Sequence, residues 1–393
     1  MMQRLMALAQ KEFIQIRRDR RTLAMMIVLP ILWLVMFGYA FSFDVGEITV
    51  AVVDKSGTAI GGMVADAFRT YERFVPTTLA DQSEAGIRRA LYRDELQMGI
   101  IIPAGYGEGG KGTQMQVFLD GADLFAAQTG ARLLQKALEP VQDQIKADLE
   151  ARTKADIQRR LAGATGLSPG ALNIAPPAPP QMIPSVTILY NPELKSANVM
   201  IPGLLGLVIM FMTTVMSAMG IVREREYGTM EQLVVTPIKP VELMIGKLLP
   251  YLVVGAVDFF LVFIAGKYLF NLTFMGNLTV FLLLSLLLVF TTLGLGLLVS
   301  TVAQNQQQAM QLALFVILPQ ILLSGLIFPL SSLPKFIQYI AYLLPFTHYV
   351  PIARGMFVKG QGLDLLWPQA VTLGAYAVIV VTAASLRFRK RIA

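Results

Sequence analysis

Six windows of about twenty residues in this chain carry almost no charge, and about twenty residues are what a helix needs to cross the hydrocarbon of a bilayer. They run Leu23 to Phe43, Asn198 to Val222, Gly246 to Phe270, Leu278 to Val302, Ala309 to Phe328 and Trp367 to Leu386. Across 393 residues, 55% are hydrophobic and 15% charged, where soluble domains average about a quarter charged, so the chain reads as an integral membrane protein. A seventh apolar stretch, Ser331 to Val350, is broken by Pro334 and Pro345 and closed by Pro351. It is expected to be re-entrant or interfacial, because two internal prolines leave no uninterrupted spanning helix.

Basic residues at the span ends orient the chain, since they resist translocation. Arg4, Lys11, Arg17, Arg18, Arg20 and Arg21 precede the first span, Arg223, Arg225, Lys239 and Lys247 follow the second, and Arg387, Arg389, Lys390 and Arg391 close the chain. Outside the long insert, only Lys267, Lys335, Arg354 and Lys359 face the other way. Both termini are therefore expected on the cytoplasmic side. Small Gly38 and Ala40 leave a cleaved signal peptide as the competing reading of the first span, but the run exceeds an h-region of roughly 7–15 residues. Met2, Leu5, Ala9, Phe13 and Ile16 recur at helical spacing opposite Arg4, Lys11 and Arg18, which predicts a cytoplasmic interface helix over residues 1–22.

The net charge of +7 is not a nucleic-acid signature. Between Asp44 and Ala197 stand 15 Lys/Arg and 18 Asp/Glu, so the basic excess lies on the membrane flanks, and no basic stripe interleaved with aromatics occurs. With no cysteine and His348 as the one histidine, there is no disulfide framework, Cys-ligated zinc or thiol nucleophile. Neither a catalytic nor a metal-binding residue is expected. Gly105, Gly110 and Lys111 match most of a phosphate-loop spacing, yet Gly112 stands where the Mg²⁺-binding hydroxyl belongs. That segment reads as a glycine-rich turn.

Residues 44–197 are long enough for a core of their own. Ile48 to Val53, Met98 to Ile102 and Met115 to Leu119 read as strands, and Gly61 to Tyr71 and Ser83 to Leu96 as helices, so an inserted α/β extracytoplasmic domain is expected. From Leu124 to Leu149 apolar residues step three and four alternately, a long helix that Pro140 should kink or divide. Its seam serves either its own core or a second protomer. Gly166 to Pro184 is a Pro-rich linker, and Ser185 to Tyr190 a returning strand.

After the second span stand Arg223, Glu224, Arg225, Glu226, Tyr227, Gly228, Thr229, Met230, Glu231, Gln232 and Leu233, ending at Thr236-Pro237. Alternating charges, a free-turning Gly228 and an apolar face of Met230, Leu233 and Val234 suit a rigid charged helix that a soluble partner can push, or else a solvated positive-inside loop. This segment resembles the RExExGTxEQLxxTP motif of ABC-2-type permeases, the membrane subunits of ABC exporters. A second match, Leu323 to Pro329 followed by Leu344, Pro345, Phe346, Thr347, His348, Tyr349 and Arg354-Gly355, is similar to that family's signature after the fifth span. The large insert is similar to the branch associated with drug or sodium efflux in bacteria.

The resemblance implies a six-span α-helical polytopic permease in the bacterial cytoplasmic (inner) membrane. It further implies a second permease subunit, identical or paralogous, and cytoplasmic ABC ATPase subunits that bind ATP and Mg²⁺, none being bound by this chain. By the same implication, residues 223–237 hold the coupling helix (Glu224 to Leu233), residues 331–352 form short external helices, and the amino-terminal helix contacts the ATPase. Export by alternating access follows, with amphipathic or hydrophobic cargo expected from the few fixed charges among the spans. An envelope adaptor is a further candidate partner for residues 44–197.

Asp258, mid-span, reads as a buried hydrogen-bonding acid or as a cation or proton site; a charge there costs roughly 2.5–3.5 kcal/mol. Gln304 to Gln308 reads as a cavity mouth or a short turn, while Gln311 and Gln320 are expected to share one face of the fifth span and line a cavity. Met200, Met210, Met212, Met216 and Met219 suit either a repacking surface or ordinary interhelical packing. Two rival functions are compatible with these residues: an ion-coupled secondary transporter using Asp258, and a membrane-anchored envelope binding protein.

Overall fold

The computed structural model describes residues 47–107, 114–163, 184–228, 240–269 and 272–392. The expected interface helix (1–22), the first span (23–43), nearly all of the Pro-rich linker and residues 229–237 lie outside them. The chain divides into two compact units, Val45–Val199 and the bundle from Met200 onward.

The first unit is an α/β sandwich. Strand β1 (Ile48–Asp54) is a β-branched run ended by Gly57, whose φ of +64° only glycine adopts cheaply. Helix α1 (Ala59–Thr70) starts on the Thr58 hydroxyl, which accepts from the Gly61 amide at 3.0 Å. Strand β2 (Phe74–Pro76) follows, and helix α2 (Glu84–Tyr92) is capped in the same way by Ser83 on Gly86 at 3.0 Å. Strands β3 (Met98–Ile102) and β4 (Gln116–Asp120), helix α3 (Leu124–Gly163) and strand β5 (Ser185–Leu189) complete the unit.

The sheet order is β2-β1-β3-β4-β5, parallel except for β3 against β4, with Val50 opposite Met98 and Gly99 opposite Phe118. Period-two alternation sends Ile48, Val50, Met98, Ile100 and Leu119 to one face, under α1 and α3. Ala51, Val53, Ile101 and Phe118 go to the other, under α2. Strand β3 is buried along its whole length, as a central strand covered on both faces must be.

Helix α3 runs unbroken for 40 residues, so Pro140 neither divides it nor ends it. Pro140 is exposed, and a carbonyl left without its amide partner on that side can be solvated. The buried positions Leu134, Leu138, Val141 and Ile145 pack on this unit's own core. After β5, Asn191 ties the chain down: its Oδ1 accepts from the Lys195 amide and the Asn198 amide group, each at 3.1 Å, and its Nδ2 donates to the Lys195 carbonyl.

The second unit is helical: α4 (Ser196–Glu226), α5 (Pro240–Leu269), α6 (Leu278–Val302), α7 (Gln306–Leu323), α8 (Lys335–Tyr342), α9 (Pro345–Arg354) and α10 (Leu363–Ile392). Among the described residues four helices are long and apolar enough to cross a membrane, within α4, α5, α6 and α10. The fifth expected span, Ala309 to Phe328, is not one of them. Helix α7 opens on three glutamines and stops at Leu323, where Gly325 at φ +82° and Pro329 turn the chain. Helices α4 and α6 are more than half buried, whereas α5 and α10 expose most of their apolar surface. Exposed Val253, Val257, Leu261, Val371, Val378 and Ile379 are what a lipid-facing rim needs.

Phe68, fully buried beneath the sheet and 6.0 Å from the Phe74 ring, tests the first unit. Phe68→Ala is predicted to destabilise it by about 3–5 kcal/mol. Denaturant melts followed by limited proteolysis would show this as cleavage within residues 47–163 at lower denaturant; an unchanged profile would refute the packing described.

Candidate functional site

The charged motif after the second expected span is described from Arg223 to Gly228; Thr229, Met230, Glu231, Gln232 and Leu233 lie outside the described residues. Helix α4 ends because Gly228 takes φ +69°, the left-handed conformation that terminates helices at glycine. The Arg223 guanidinium lies 5.5 Å from the exposed Tyr227 ring.

Arg225 and Glu226 grip neighbouring helices. Arg225 donates from Nη1 to the Ala303 carbonyl at 3.0 Å and from Nη2 to the Ser300 carbonyl at 3.1 Å, at the carboxyl end of α6. Glu226 accepts at Oε1 from the Gln306 amide at 3.0 Å and at Oε2 from the Gln306 side chain at 2.5 Å, at the amino end of α7. A cation thus meets a helix C-terminus and an anion a helix N-terminus, the favourable sense of each dipole. Below them Ala218, Val222, Val299, Ala303 and Ala309 pack into one apolar floor.

The polar run Gln304 to Gln308 supplies the turn between α6 and α7 at Gln304 and Asn305 and then the first three residues of α7. Asn305 Oδ1 accepts from the Gln308 amide, and Gln308 Oε1 accepts from the Gln304 amide, both at 2.7 Å. Gln311 and Gln320 do not share a face. Nine positions at 3.6 residues per turn make about two and a half turns, which sets the two side chains on opposite sides. Gln311 is exposed; Gln320 is buried, donating to the Val316 carbonyl at 3.3 Å and accepting from the Phe346 amide at 3.4 Å. The joint cavity lining expected of them is therefore corrected, and Gln320 serves as the cap of α9.

Asp258 sits half-buried on α5, with Oδ2 hidden and no hydrogen-bond partner for it among the described residues. A buried carboxylate oxygen left this way is costly and marks the position as one to explain.

Residues 331–352 fold as a short 3₁₀ turn (Leu330–Ser332) followed by α8 and α9. Pro345, Phe346, Thr347 and Tyr349 of α9 are buried in the bundle. Tyr349 shares a 2.9 Å hydrogen bond with Ser285 of α6, and its ring stacks at 6.2 Å on Phe346. The Thr347 hydroxyl donates to the Ala341 carbonyl at 2.7 Å, His348 Nε2 lies 2.9 Å from the Tyr342 carbonyl, and the same carbonyl accepts from Tyr376 of α10 at 3.3 Å. Tyr376 stands midway along the apolar run of α10, so the α8–α9 corner reaches well below the start of that helix. Arg354 donates to the Gly325 carbonyl at 3.3 Å. A π turn, Gly355–Lys359, then returns the chain to α10.

The sequence reading missed the seam that holds α4 to α6. Thr213 and Thr292 share a 2.7 Å hydrogen bond, Thr214 donates to the Thr292 carbonyl at 3.3 Å, and Ser217 donates to the Leu293 carbonyl at 3.3 Å, all of these side chains being buried. Gly296 lets the helices approach: a Cβ there would collide with Ser217 Oγ and the Thr214 carbonyl. Small and hydroxyl-bearing residues within an apolar run were the available signal.

Residues 20–386 match the family described as "ABC-2 family transporter protein". Among similar proteins, "Probable multidrug ABC transporter permease YbhR" of Escherichia coli is 25% identical over 395 residues, covering 100% of both chains. "Probable multidrug ABC transporter permease YbhS" of the same organism is 26% identical over 399 residues, 99% of this chain and 97% of the relative. "Inner membrane transport permease YhhJ", also of Escherichia coli, is 34% identical over 206 residues, 52% of this chain and 54% of the relative.

The seam yields a paired prediction. Gly296→Ala should cost about 1–3 kcal/mol through overpacking, whereas Gly374→Ala, where nothing lies within 4 Å, should be neutral or slightly stabilising. Thermal stability of the two purified variants in detergent would check it; equal melting points would refute the close approach at Gly296.

The family match and these whole-length relatives, with the apolar helices and the charged end of α4, make the chain a member of the ABC-2 family of transporter permeases, membrane subunits that work with ATP-binding partners and are not themselves enzymes.

Proposed function

We propose that the chain is the membrane subunit of an ATP-driven exporter in the bacterial inner membrane, and that Glu224 to Leu233 couples it to separate cytoplasmic ATPase subunits. The observation that carries this reading is the end of α4, where Arg225 and Glu226 join three helix ends to the chain leaving at Gly228. A force applied to that chain reaches several helices at once. Both termini are cytoplasmic in this reading, the α/β unit is extracytoplasmic, and two permease subunits, identical or paralogous, enclose the path.

Cargo enters from the cytoplasm or inner leaflet, ATP-driven closure of the partners moves the coupling segments, and the outer side opens. Amphipathic or hydrophobic cargo suits spans with few fixed charges, and the word multidrug in the names of two relatives agrees with that class. ATP and Mg²⁺ belong to the partner subunit. The unit of residues 44–197 is an available surface for an envelope adaptor.

The hidden oxygen of Asp258 favours one second reading, transport driven by protons or cations through that carboxyl. The two readings part in an experiment. Purification from native membranes is expected to recover an ATPase subunit, and Glu231→Ala or Gly228→Val to lose it, while Asp258→Asn keeps ATP-dependent export within about twofold. Export abolished by Asp258→Asn, from a preparation containing no ATPase subunit, would transfer the case to ion coupling.

A further inference from the structure

Helix α7 is held at both ends by side-chain contacts with other helices. At its first residue the Glu226 carboxylate takes both the amide and the side chain of Gln306. Both bonds are exposed to solvent, which weakens them, while the charge on Glu226 and the positive end of the α7 dipole favour them. Arg225 fixes the end of α6 to the same point, and Ala218, Val222, Ala303 and Ala309 fill the space beneath. The end of α4 therefore cannot slide past the turn at Ala303 to Gln306 without breaking these bonds.

At the far end Gln320, 1% exposed, accepts from the Phe346 amide, the second residue of α9. A buried amide side chain among apolar residues is tolerated only when hydrogen-bonded, so this contact is costly to lose. Phe346 stacks on Tyr349 within α9, and Tyr349 is bonded to Ser285 of α6, so a displacement that reaches Phe346 is shared by the rest of α9 and is felt at α6. Between the two grips lie about four turns of helix, roughly 1.5 Å of rise per residue, with Pro319 set just before the second.

We propose that α7 acts as a push-rod, carrying the stroke that arrives at α4 through the Glu226–Gln306 grip across the bundle to the re-entrant helix α9 through the Gln320–Phe346 grip. The inference rests on the reading of Glu224 to Leu233 as the coupling segment and adds the route its motion takes. Gln306 and Gln320 become positioning residues that touch neither nucleotide nor cargo.

The absence of cysteine allows a single label. Tyr339 on α8, 73% exposed, is changed to Cys in the full chain purified with its ATPase subunit and carries an environment-sensitive fluorophore, read on adding a non-hydrolysable ATP analogue. The parent should respond to nucleotide. Glu226→Lys, which sets a donor against donors, should cut the response about tenfold, and so should Gln306→Glu, which sets two carboxylates together. The double variant, restoring opposite charges, should recover it to within about twofold. Gln320→Met should silence the label with the ATPase subunit still attached.

A parent without response, single variants that respond fully, or a double variant as silent as the singles would each overturn the push-rod. So would loss of the ATPase subunit from Glu226→Lys with its return in the double variant, since Glu226 would then be a docking residue. If the parent itself brings down no ATPase subunit, the coupling reading fails along with it.

Discussion

In hydrocarbon no water is available for a backbone amide or carbonyl, so each break in a helix must be repaired from within the protein. The bundle meets this demand with side chains reaching across from other helices. Gln320 takes the Phe346 amide where α9 begins and Arg354 takes the carbonyl of Gly325, while at the exposed turn between α6 and α7 Arg225 takes two carbonyls and Glu226 the first amide of α7. Tyr376, Thr347 and His348 surround the corner between α8 and α9. One set of polar side chains in the bundle thus stands where its helices are interrupted.

The same economy holds α4 against α6. Helices in lipid gain little from hydrophobic burial and adhere through close packing and interhelical hydrogen bonds. Thr213, Thr214, Ser217, Thr292 and Gly296 supply both between α4 and α6, the two most buried of the four long apolar helices described. Helices α5 and α10 turn bare apolar surface outward.

The long apolar helices were legible in the sequence, because about twenty consecutive residues almost free of charge are the length and chemistry that a bilayer demands. Strands β1, β3, β4 and β5 match runs legible in the sequence, as do the two short helices within a few residues, whereas β2 (Phe74–Pro76) and the Thr58 cap are not part of that reading. Pro140 does not divide its helix, because the carbonyl it leaves unpaired lies on an exposed side that water can satisfy. Gln311 and Gln320 stand nine positions apart, half a turn out of phase on a helix, and the structure separates them. The grips of Arg225, Glu226 and Gln320 depend on neighbours some 26 to 80 positions away, and no local pattern encodes which distant carbonyl an arginine will find. Charge at Asp258 was visible as an anomaly; the missing partner for its oxygen was not.

Helix α3 outruns the sheet it packs on. At about 1.5 Å per residue its 40 residues extend roughly 60 Å, yet over residues 124–155 the last buried position is Ile145, with Leu149 only partly covered. The turns beyond inherit their order from the anchored half, as wood beyond a clamp stays straight only while the clamp holds. Loosening at Leu134 or Leu138 would therefore also release the exposed turns from Lys146 to Ala155, which hold no buried residue of their own.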